Sequence, residues 1–504
     1  SCSNPGHSLT APTTFNCAYR VLRAMQLGGA ILLEGSPGVG KTTLIESLAK
    51  LTGNELVRIN LSDQTDLIDL FGTDLPVEGG AVGQFSWCDG PFLRAMKRGS
   101  WILLDELNLA SQSVLEGLNA CLDHRGSVFI PELGRTFVVN PGTRIFAAQN
   151  PLRQGGGRKG LPKSFVNRFV TVWFDQLTID DYKVICKERF PQLPASLIDG
   201  AIEFNRQLTC MVNEGSFALK GRPWEFNLRD LFRWLRLTLM SGGSPLSGFR
   251  TIYLNRLRTL EDRGALIELY ERVFPDRKYE QLIPYRIEKG ALHVGPSALM
   301  QVQGTTQLSL LRSQLPYVES ILMSMAEGWL TILVGPHGSG KTGLVEFIAD
   351  LSGVRLVQFQ LGPETDTLEL LGSFEQTDYE RKYRKLAGKY GLDCIGEADI
   401  DKNDLLRRDL EALQLEESVS KGAQFEWVDG PLTVALQEGH WIILENANLC
   451  SPAVLDRLNS LFEPGGTLVL TEASGHQDGT RTLRPHPNFR LFMTLDPRHG
   501  ELSR

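Results

Sequence analysis

Short apolar runs alternate with longer amphipathic stretches along the first third of the chain. The runs are Ile31–Leu33, Leu56–Ile59, Trp101–Leu104 and Arg144–Ala148, and helical patterns of apolar residues lie between them. This alternation is typical of buried parallel strands that are joined by crossover helices. The pattern therefore predicts an α/β fold around a parallel sheet.

The pattern changes after the strand-like run Val170–Phe174. Helical periodicity then continues through three consecutive segments, which are Ile179–Phe190, Leu197–Val212 and Phe226–Met240. They predict an all-helical appendage at 176–275. The following stretch, 276–304, contains Pro284, Pro296 and several glycines, which favour a linker.

The chain contains an internal repeat. The segment ILLEGSPGVGKTTLIESLAKLTG around Lys41 recurs as TILVGPHGSGKTGLVEFIADLSG around Lys341, 300 residues later. GSWILLDELNLAS returns as GHWIILENANLCS with an offset of 340, so the second copy carries about 40 extra residues, between Gly372 and Phe425. Two long copies indicate tandem domains, because solenoids are built from shorter units in at least about three repeats.

The repeat divides the chain into two α/β domains. The first is predicted at 1–175 and the second at 305–504, with a charged insertion near 378–421. The insertion mixes acidic and basic residues with several leucines, which predicts a charged helical hairpin. Such a hairpin either contacts a partner or forms a solvated surface, and the sequence leaves both open.

Composition excludes several classes of protein. The 504 residues are 42% hydrophobic and 22% charged, which argues against global disorder. The net charge of −7 gives no overall attraction to nucleic acid, so sequence-specific nucleic-acid binding is not expected. No apolar run approaches the ~20 residues of a membrane-spanning helix, so no membrane partner is expected either. Eight scattered cysteines without a CxxC pair favour a reducing compartment, and because the chain begins SCSNPGHSL without Met we expect it to be part of something longer.

Each copy carries the motif G-x-x-x-x-G-K-[ST] between an apolar run and an amphipathic helix. Backbone N–H groups of such a loop wrap phosphates, the lysine neutralises β- and γ-phosphate charge, and the Thr hydroxyl ligates Mg²⁺. A Gly-rich turn with a chance lysine is the alternative for one motif, but two matching copies favour phosphate binding. The predicted binding residues are Gly35, Pro37, Gly38, Gly40, Lys41, Thr42 and Thr43 in the first copy and Gly335, Gly338, Gly340, Lys341, Thr342 and Gly343 in the second.

Acidic residues end a later apolar strand in the first copy. Asp105 would hold Mg²⁺ together with Thr42, and Glu106 would orient and polarise the attacking water. An acidic strand end that merely faces solvent is the alternative. The preceding phosphate loop favours the metal and catalytic roles.

The second copy departs from the first at this strand end. Glu445 takes the place of the metal-site Asp, near Thr342, and Asn446 takes the place of the water-polarising Glu. An amide accepts a hydrogen bond but cannot act as a carboxylate base. We therefore expect the second site to bind nucleotide and to hydrolyse it slowly or not at all, unless Glu445 itself serves as the base.

A polar residue also ends the next apolar run of each copy. IFAAQNP ends with Asn150, and LFMTLDP places Asp496 at the equivalent position. A side chain there would sense the γ-phosphate and position water, whereas the bare Asn-Pro dipeptide favours a plain turn. Because the other motifs precede it, we predict a catalytic role for Asn150.

Longer phrases resemble the dynein-related AAA+ ATPases over nearly the whole chain. They are WCDGPFLRAM, LLDELNLASQSVLEGLNACLD, QNPLRQGGGRKGLPKSFVNRF and RPWEFNLRDLFRW. The resemblance implies tandem AAA+ P-loop modules, the first followed by a helical lid, with ATP or ADP and Mg²⁺ as cofactors. It also implies that Arg168, in the NRF phrase, is an arginine finger that reaches a neighbouring module's site, and that Arg229 is the sensor in the lid. A surface arginine beside an apolar strand is the alternative for Arg168.

The phrases are similar to the giant members of this family, which carry six fused AAA+ modules and remodel precursors of the large ribosomal subunit. This implies a nuclear ATPase that removes assembly factors from pre-60S particles, with neighbouring modules of the same polypeptide as partners. In such rings, the finger of the following module completes each site. Because the second copy stops at Arg504, before its own finger and lid, we expect the isolated chain to hydrolyse ATP poorly.

Three other functions stay open at this point. MoxR-type AAA+ chaperones share the DGP and NRF features. A nucleoside or small-metabolite kinase would share the phosphate loops, although the tandem arrangement, the finger phrase and the lid argue against it. The modules could also form a non-catalytic scaffold that nucleotide holds rigid, which the Glu445-Asn446 pair makes plausible for the second site.

Overall fold

Two parallel sheets organise the chain, one in each copy of the repeat. They confirm the predicted α/β class. A computed structural model describes residues 10–500 apart from the gaps 64, 77–84, 124–125, 152–159, 216, 223, 289, 300–308, 377–378, 391–407, 415–424, 463–464, 471–472 and 474–480.

The apolar runs of the first domain form strands of one sheet, and further strands form hairpins. The strands are β1 (Ala30–Gly35), β2 (Leu56–Asn60), β3 (Gly72–Pro76), β4 (Phe85–Asp89), β5 (Trp101–Asp105), β6 (Ser127–Ile130), β7 (Arg135–Val138), β8 (Ile145–Gln149) and β9 (Phe169–Phe174). Five of them pair in parallel in the order β2-β5-β8-β1-β9, and β3-β4 and β6-β7 form separate antiparallel hairpins. The order places the carboxyl end of β1 between those of β8 and β9, so residues at these strand ends meet at one edge.

Helices cover both faces of this sheet, which explains why its strands are apolar on both sides. Leu32, Leu103 and Ala147 in the middle of the sheet are at most 1% exposed. The helices of the first domain are α1 (Pro12–Met25), α2 (Lys41–Thr52), α3 (Leu67–Phe71), α4 (Pro91–Arg98), α5 (Gln112–Leu122) and α6 (Lys163–Val166).

The predicted helical appendage follows β9 and has an aromatic core. Trp234, Phe204 and Tyr253 are fully buried there and pack edge to face, with ring centroids 5.1 to 5.3 Å apart. Such ring pairs add to the stability that their burial gives. The helices are α7 (Ile179–Arg189), α8 (Ala195–Asn213), α9 (Leu228–Met240), α10 (Leu246–Ile252) and α11 (Leu260–Val273).

The stretch 276–304 is more than the linker that the sequence predicts. It contains an antiparallel meander of β10 (Tyr285–Glu288), β11 (Ala291–Val294) and β12 (Ser297–Leu299). Leu292 and Val294 of this meander are buried against α12 (Leu315–Ala326) of the second domain. All four residues of β10 are exposed, although its sequence YRIE alternates apolar and charged residues as a half-buried strand does.

The second domain repeats the first in its described part. Its parallel sheet has the order β13-β20-β17-β14, which matches β1-β8-β5-β2 of the first domain. The elements after α12 are β13 (Thr331–Val334), α13 (Lys341–Ser352), β14 (Leu356–Gln360), α14 (Thr367–Leu371), β15 (Gly372–Gln376), α15 (Tyr379–Lys389), α16 (408–414), β16 (Phe425–Asp429), α17 (Pro431–Glu438), β17 (Trp441–Glu445), α18 (Pro452–Asp456), β18 (Leu468–Leu470), β19 (Arg481–Leu483) and β20 (Arg490–Leu495).

Helices α15 and α16 belong to the predicted insertion near 378–421, of which 378, 391–407 and 415–421 lie outside the described residues. Leu386 and Leu410 pack together between the two helices, and Lys389 pairs with Asp409 at 2.7 Å. The described residues therefore agree with a charged helical pair.

A buried ion pair joins the helical appendage to the second domain. Arg250 of α10 donates to both carboxylate oxygens of Glu319 of α12, at 2.7 and 2.9 Å, and the two side chains are 6% and 0% exposed. Ser247 donates to the same carboxylate at 3.0 Å. Because removing one partner would leave a buried charge unpaired, we expect loss of either side chain to destabilise this junction.

Candidate nucleotide-binding site

The first phosphate loop runs from the end of β1 to the start of α2. Gly38 and Gly40 have φ of +81° and +88°, a left-handed conformation that favours glycine. Gly35 lies so close to β9 that a Cβ atom there would be 2.8 Å from Phe174. The loop therefore places the amino end of α2, whose first N–H groups have no partner within the helix, at the carboxyl edge of the sheet.

Lys41 is buried inside this loop. Its Nζ donates to the carbonyl oxygens of Gly35 and Ser36 at 2.6 and 3.1 Å and to Asn150 Oδ1 at 2.8 Å, and the residue is 8% exposed. These partners are oxygen acceptors. We therefore expect a bound phosphate to take the place of some of these acceptors as the partner of the Lys41 ammonium group.

Thr42 and Asp105 lie together, as the predicted metal site requires. Thr42 Oγ1 donates to Asp105 Oδ2 at 3.2 Å. A hydroxyl and a carboxylate are the oxygen ligands that Mg²⁺ prefers, so these residues fit the ion.

Arg58 of β2 is a member of this site that sequence reasoning missed. Its Nη2 and Nε contact the same oxygen, Asp105 Oδ2, at 2.8 and 3.2 Å. The signal in the sequence is one charged residue inside the strand LVRIN. The strand order brings this arginine close to Asp105, because β2 pairs directly with β5.

Asn150 connects the phosphate loop to the predicted catalytic carboxylate. Its Oδ1 accepts from Lys41, and its Nδ2 donates to Glu106 Oε1 at 2.6 Å. Asn108 Nδ2 donates to the Asn150 carbonyl at 2.9 Å and fixes the end of β8. Glu106 has φ of +53°, which turns its side chain from the end of β5 toward Asn150. Three side chains predicted from separate motifs thus form one hydrogen-bonded chain.

A cleft of about 280 Å³ lies between the phosphate loop and the helical appendage. The indole of Trp224 stacks on Phe226 with centroids 6.3 Å apart and an interplanar angle of 7°. Aromatic faces beside a phosphate loop suit a nucleotide base. Sequence reasoning missed these residues, since they meet the loop only through the tertiary fold. The cleft is lined by Ser36, Pro37, Gly38, Val39, Gln176, Leu177, Tyr182, Thr209, Val212, Asn213, Trp224, Glu225, Phe226 and Asn227.

The predicted lid sensor, Arg229, lies at the start of α9 near this cleft. Asn227 lines the cleft, and its side chain accepts the backbone N–H of Arg229 at 3.0 Å. Arg229 itself is exposed and is not among the lining residues.

The second loop repeats the backbone of the first but differs in its partners. Lys341 Nζ donates to the carbonyl oxygens of Gly335 and Pro336, both at 2.8 Å, and burial lowers its pKa. Thr342 Oγ1 donates to Glu445 Oε1 at 2.6 Å, so the longer carboxylate still reaches the metal position. Asn446 keeps the left-handed backbone of Glu106, with φ of +55°.

Asp496 is bound to the second loop itself. Its Oδ2 accepts the backbone N–H of His337 at 3.0 Å and the Arg498 guanidinium at 3.1 Å. Among the described hydrogen bonds of Asp496, none joins it to Lys341 or Asn446. The hydrogen-bonded chain of the first site is therefore replaced by a different arrangement.

Family models match most of this architecture. A model described as the AAA domain of the dynein-related subfamily matches residues 30–169 and 404–504, and one described as the midasin AAA lid domain matches 181–275. The chain belongs to the dynein-related AAA+ ATPases. The helical appendage is thus an AAA+ lid.

Several relatives extend this comparison. The chain is similar to midasin of Dictyostelium discoideum, with 40% identity over 99% of this chain and 10% of that protein. It is 34% identical to midasin of Giardia intestinalis over 97% of this chain and 12% of that one, so it spans about a tenth of the length of these relatives. An uncharacterized protein of Staphylococcus aureus is 32% identical over 41% of this chain and 77% of its own length. A solved structure of a putative ATPase from Cytophaga hutchinsonii has a TM-score of 0.30 and 22% identity, over 51% of this chain and 80% of its own.

The finger residue that the AAA+ resemblance implies, Arg168, lies between α6 and β9. Its guanidinium pairs with Asp123, after α5, at 3.0 Å, and its side chain is 30% exposed. This ion pair holds Arg168 at the far end of α5 rather than in the loop around Lys41.

No helix within the described ranges is long and apolar enough to cross a membrane.

Proposed function

We propose that the first site hydrolyses ATP and that the hydrogen-bonded chain Lys41–Asn150–Glu106 carries this activity. Lys41 neutralises β- and γ-phosphate charge, and Asn150 senses the γ-phosphate through the same amide that contacts both neighbours. Glu106 orients the attacking water and accepts its proton at a carboxylate oxygen. Binding of ATP replaces the Lys41–Asn150 contact and so changes the position of Glu106.

In this proposal, Thr42 and Asp105 would hold Mg²⁺. The ion would neutralise part of the charge on the phosphates. Trp224 and Phe226 of the lid bind the base in the cleft beside the loop. Arg229 reaches the phosphates when the lid closes, since α9 begins beside Gly38 and Asn227. Arg168 leaves Asp123 and acts as a finger in a neighbouring module's site.

The second site binds nucleotide and hydrolyses it slowly or not at all. Its loop, Lys341 and the Thr342–Glu445 pair are in place, but Asn446 has no carboxylate to polarise water. The two sites therefore have different roles in one polypeptide.

The whole protein is a fused-ring mechanochemical ATPase that removes assembly factors from pre-60S ribosomal particles in the nucleus. Similarity to midasins over nearly the full chain supports this role. The ion pair between Arg250 of the lid and Glu319 of α12 supports transmission of lid movement to the next module, because it is buried between the two units.

The test is ATP turnover by this chain and by a longer polypeptide that continues through the following finger and lid. We expect the longer polypeptide to turn over ATP, Lys41→Ala to abolish that activity, and the matched Lys341→Ala to retain most of it. Full activity in the 504-residue chain alone would contradict the role of a finger from the following module. Equal loss in both variants would contradict the division of roles.

A further inference from the structure

Asp496 occupies the corner of the second site that Asn150 occupies in the first. Strand β20 lies between β13 and β17, just as β8 lies between β1 and β5. Both residues follow the last position of their strand and precede a proline. A γ-phosphate in the second site would therefore meet a carboxylate where the first site offers an amide.

The second loop is built to hold this carboxylate. His337 donates its backbone N–H to Asp496, whereas the equivalent residue of the first loop, Pro37, has no N–H to donate. Arg498 donates to Asp496 from its backbone N–H and from its guanidinium, at 3.0 to 3.3 Å. The first copy has Leu152 at the position of Arg498. The second copy thus differs from the first both in the carboxylate and in the two residues that donate hydrogen bonds to it.

The carboxylate changes which ligand the site can accept. Asn150 has an N–H group that can donate to a phosphate oxygen, but a charged carboxylate has acceptors only. Asp496 is 4% exposed, so little water screens it from an incoming γ-phosphate. Its pKa is lowered to about 2, first by the N–H of Arg498, so it is charged at neutral pH. A nucleoside diphosphate lacks the γ-phosphate and so brings less negative charge to this carboxylate.

We propose that Asp496 makes the second site selective for ADP over ATP. This inference rests on the proposed function of that site as a nucleotide-binding site. The second module then binds a nucleoside diphosphate and does not take part in the hydrolysis cycle. The alternative is that the Arg498 guanidinium leaves Asp496 and binds the γ-phosphate, which would favour ATP instead.

Calorimetric titration of the chain with Lys41→Ala isolates the second site, and Mg·ADP and a non-hydrolysable Mg·ATP analogue are the probes. We expect ADP to bind at least about tenfold more tightly, which corresponds to about 1.4 kcal/mol. Asp496→Asn should remove most of this preference by strengthening binding of the ATP analogue. Adding Lys341→Ala is the control, and it should abolish the heat of both titrations.

Equal affinity for the two probes in the Lys41→Ala chain would overturn the inference while leaving the second site a binding site. The wild-type Asp496 ratio decides this point even where the Asn variant folds poorly. Absence of binding by either probe would overturn the proposed binding function as well. If Arg498→Ala weakens the ATP analogue more than ADP, the arginine serves the γ-phosphate and the inference fails.

Discussion

The two nucleotide sites share a backbone and differ in a few side chains. In both, a lysine is turned onto loop carbonyls, a threonine donates to a carboxylate, and a non-glycine residue after the strand has a left-handed backbone. Only the first has the chain from Lys41 through Asn150 to Glu106. We infer that the shared loop lets both sites bind nucleotide, while the residues at the ends of β5 and β8 determine whether the bound nucleotide is hydrolysed.

Glu106→Gln should cause the largest change. It removes the carboxylate that accepts a proton from water, and we expect ATP turnover of the longer polypeptide to fall by about 10²- to 10⁴-fold. Nucleotide affinity should change little, because the substitution leaves the phosphate loop and Lys41 intact and Gln keeps an oxygen that can accept from Asn150. Steady-state phosphate release measures the effect. The matched control is Asn446→Ala in the second site, and a comparable loss there would show that both sites hydrolyse.

Asn150→Asp places the residue of the second site in the first. The new carboxylate lies beside Glu106, where Nδ2 now donates at 2.6 Å, so two like charges face each other and the donor is lost. We expect turnover to fall by about 10²-fold, the size of effect seen when one donor at a reacting centre is removed. The reciprocal Asp496→Asn should leave turnover unchanged. A fall in turnover with that reciprocal variant would mean that the second site takes part in hydrolysis.

Arg58→Gln gives the first site the residue that the second site has at the equivalent position, Gln358. Arg58 and Mg²⁺ compete for Asp105, and a partly exposed ion pair is worth at most about 1 kcal/mol. We therefore expect half-maximal turnover at up to about fivefold lower Mg²⁺ concentration. Titration of Mg²⁺ at fixed ATP measures this. A higher Mg²⁺ requirement would instead assign Arg58 to positioning Asp105.

Asp496 also predicts a small difference in acid stability. Its pKa falls from 3.8 to about 2 on folding, so its contribution to stability is present above pH 3.8 and is lost as the pH falls toward 2. The difference in unfolding free energy between the wild-type chain and Asp496→Asn should therefore be smaller at pH 3 than at pH 6. Urea unfolding at both pH values measures it, and a difference independent of pH would contradict the cited cause.

The strands of both sheets could be predicted from the sequence, since parallel strands buried on both faces are short apolar runs. The phosphate loops and Asp105, Glu106 and Asn150 were found because each motif follows such a run directly. Their meeting at one edge depends on the strand order, which the sequence pattern alone does not contain. The predicted site roles stay predictions until turnover is measured.

Other features could not be predicted, for physical reasons. Strand β10 is only four residues long and lies between Pro284 and Gly290, so the residues around it favour a linker. Arg58 reaches Asp105 only because β2 pairs with β5. Trp224 and Phe226 stand between lid helices, and their position beside the loop depends on how the lid packs on the first domain.

The positive φ shared by Glu106 and Asn446 has a consequence for stability. A left-handed backbone costs about 1 kcal/mol for a residue such as glutamate, whereas asparagine adopts it with less strain. The first module thus retains backbone strain at the residue that its chemistry requires. The second module has a residue that adopts the same backbone conformation with less strain. Asn446→Glu would therefore make that module less stable even though it adds a carboxylate.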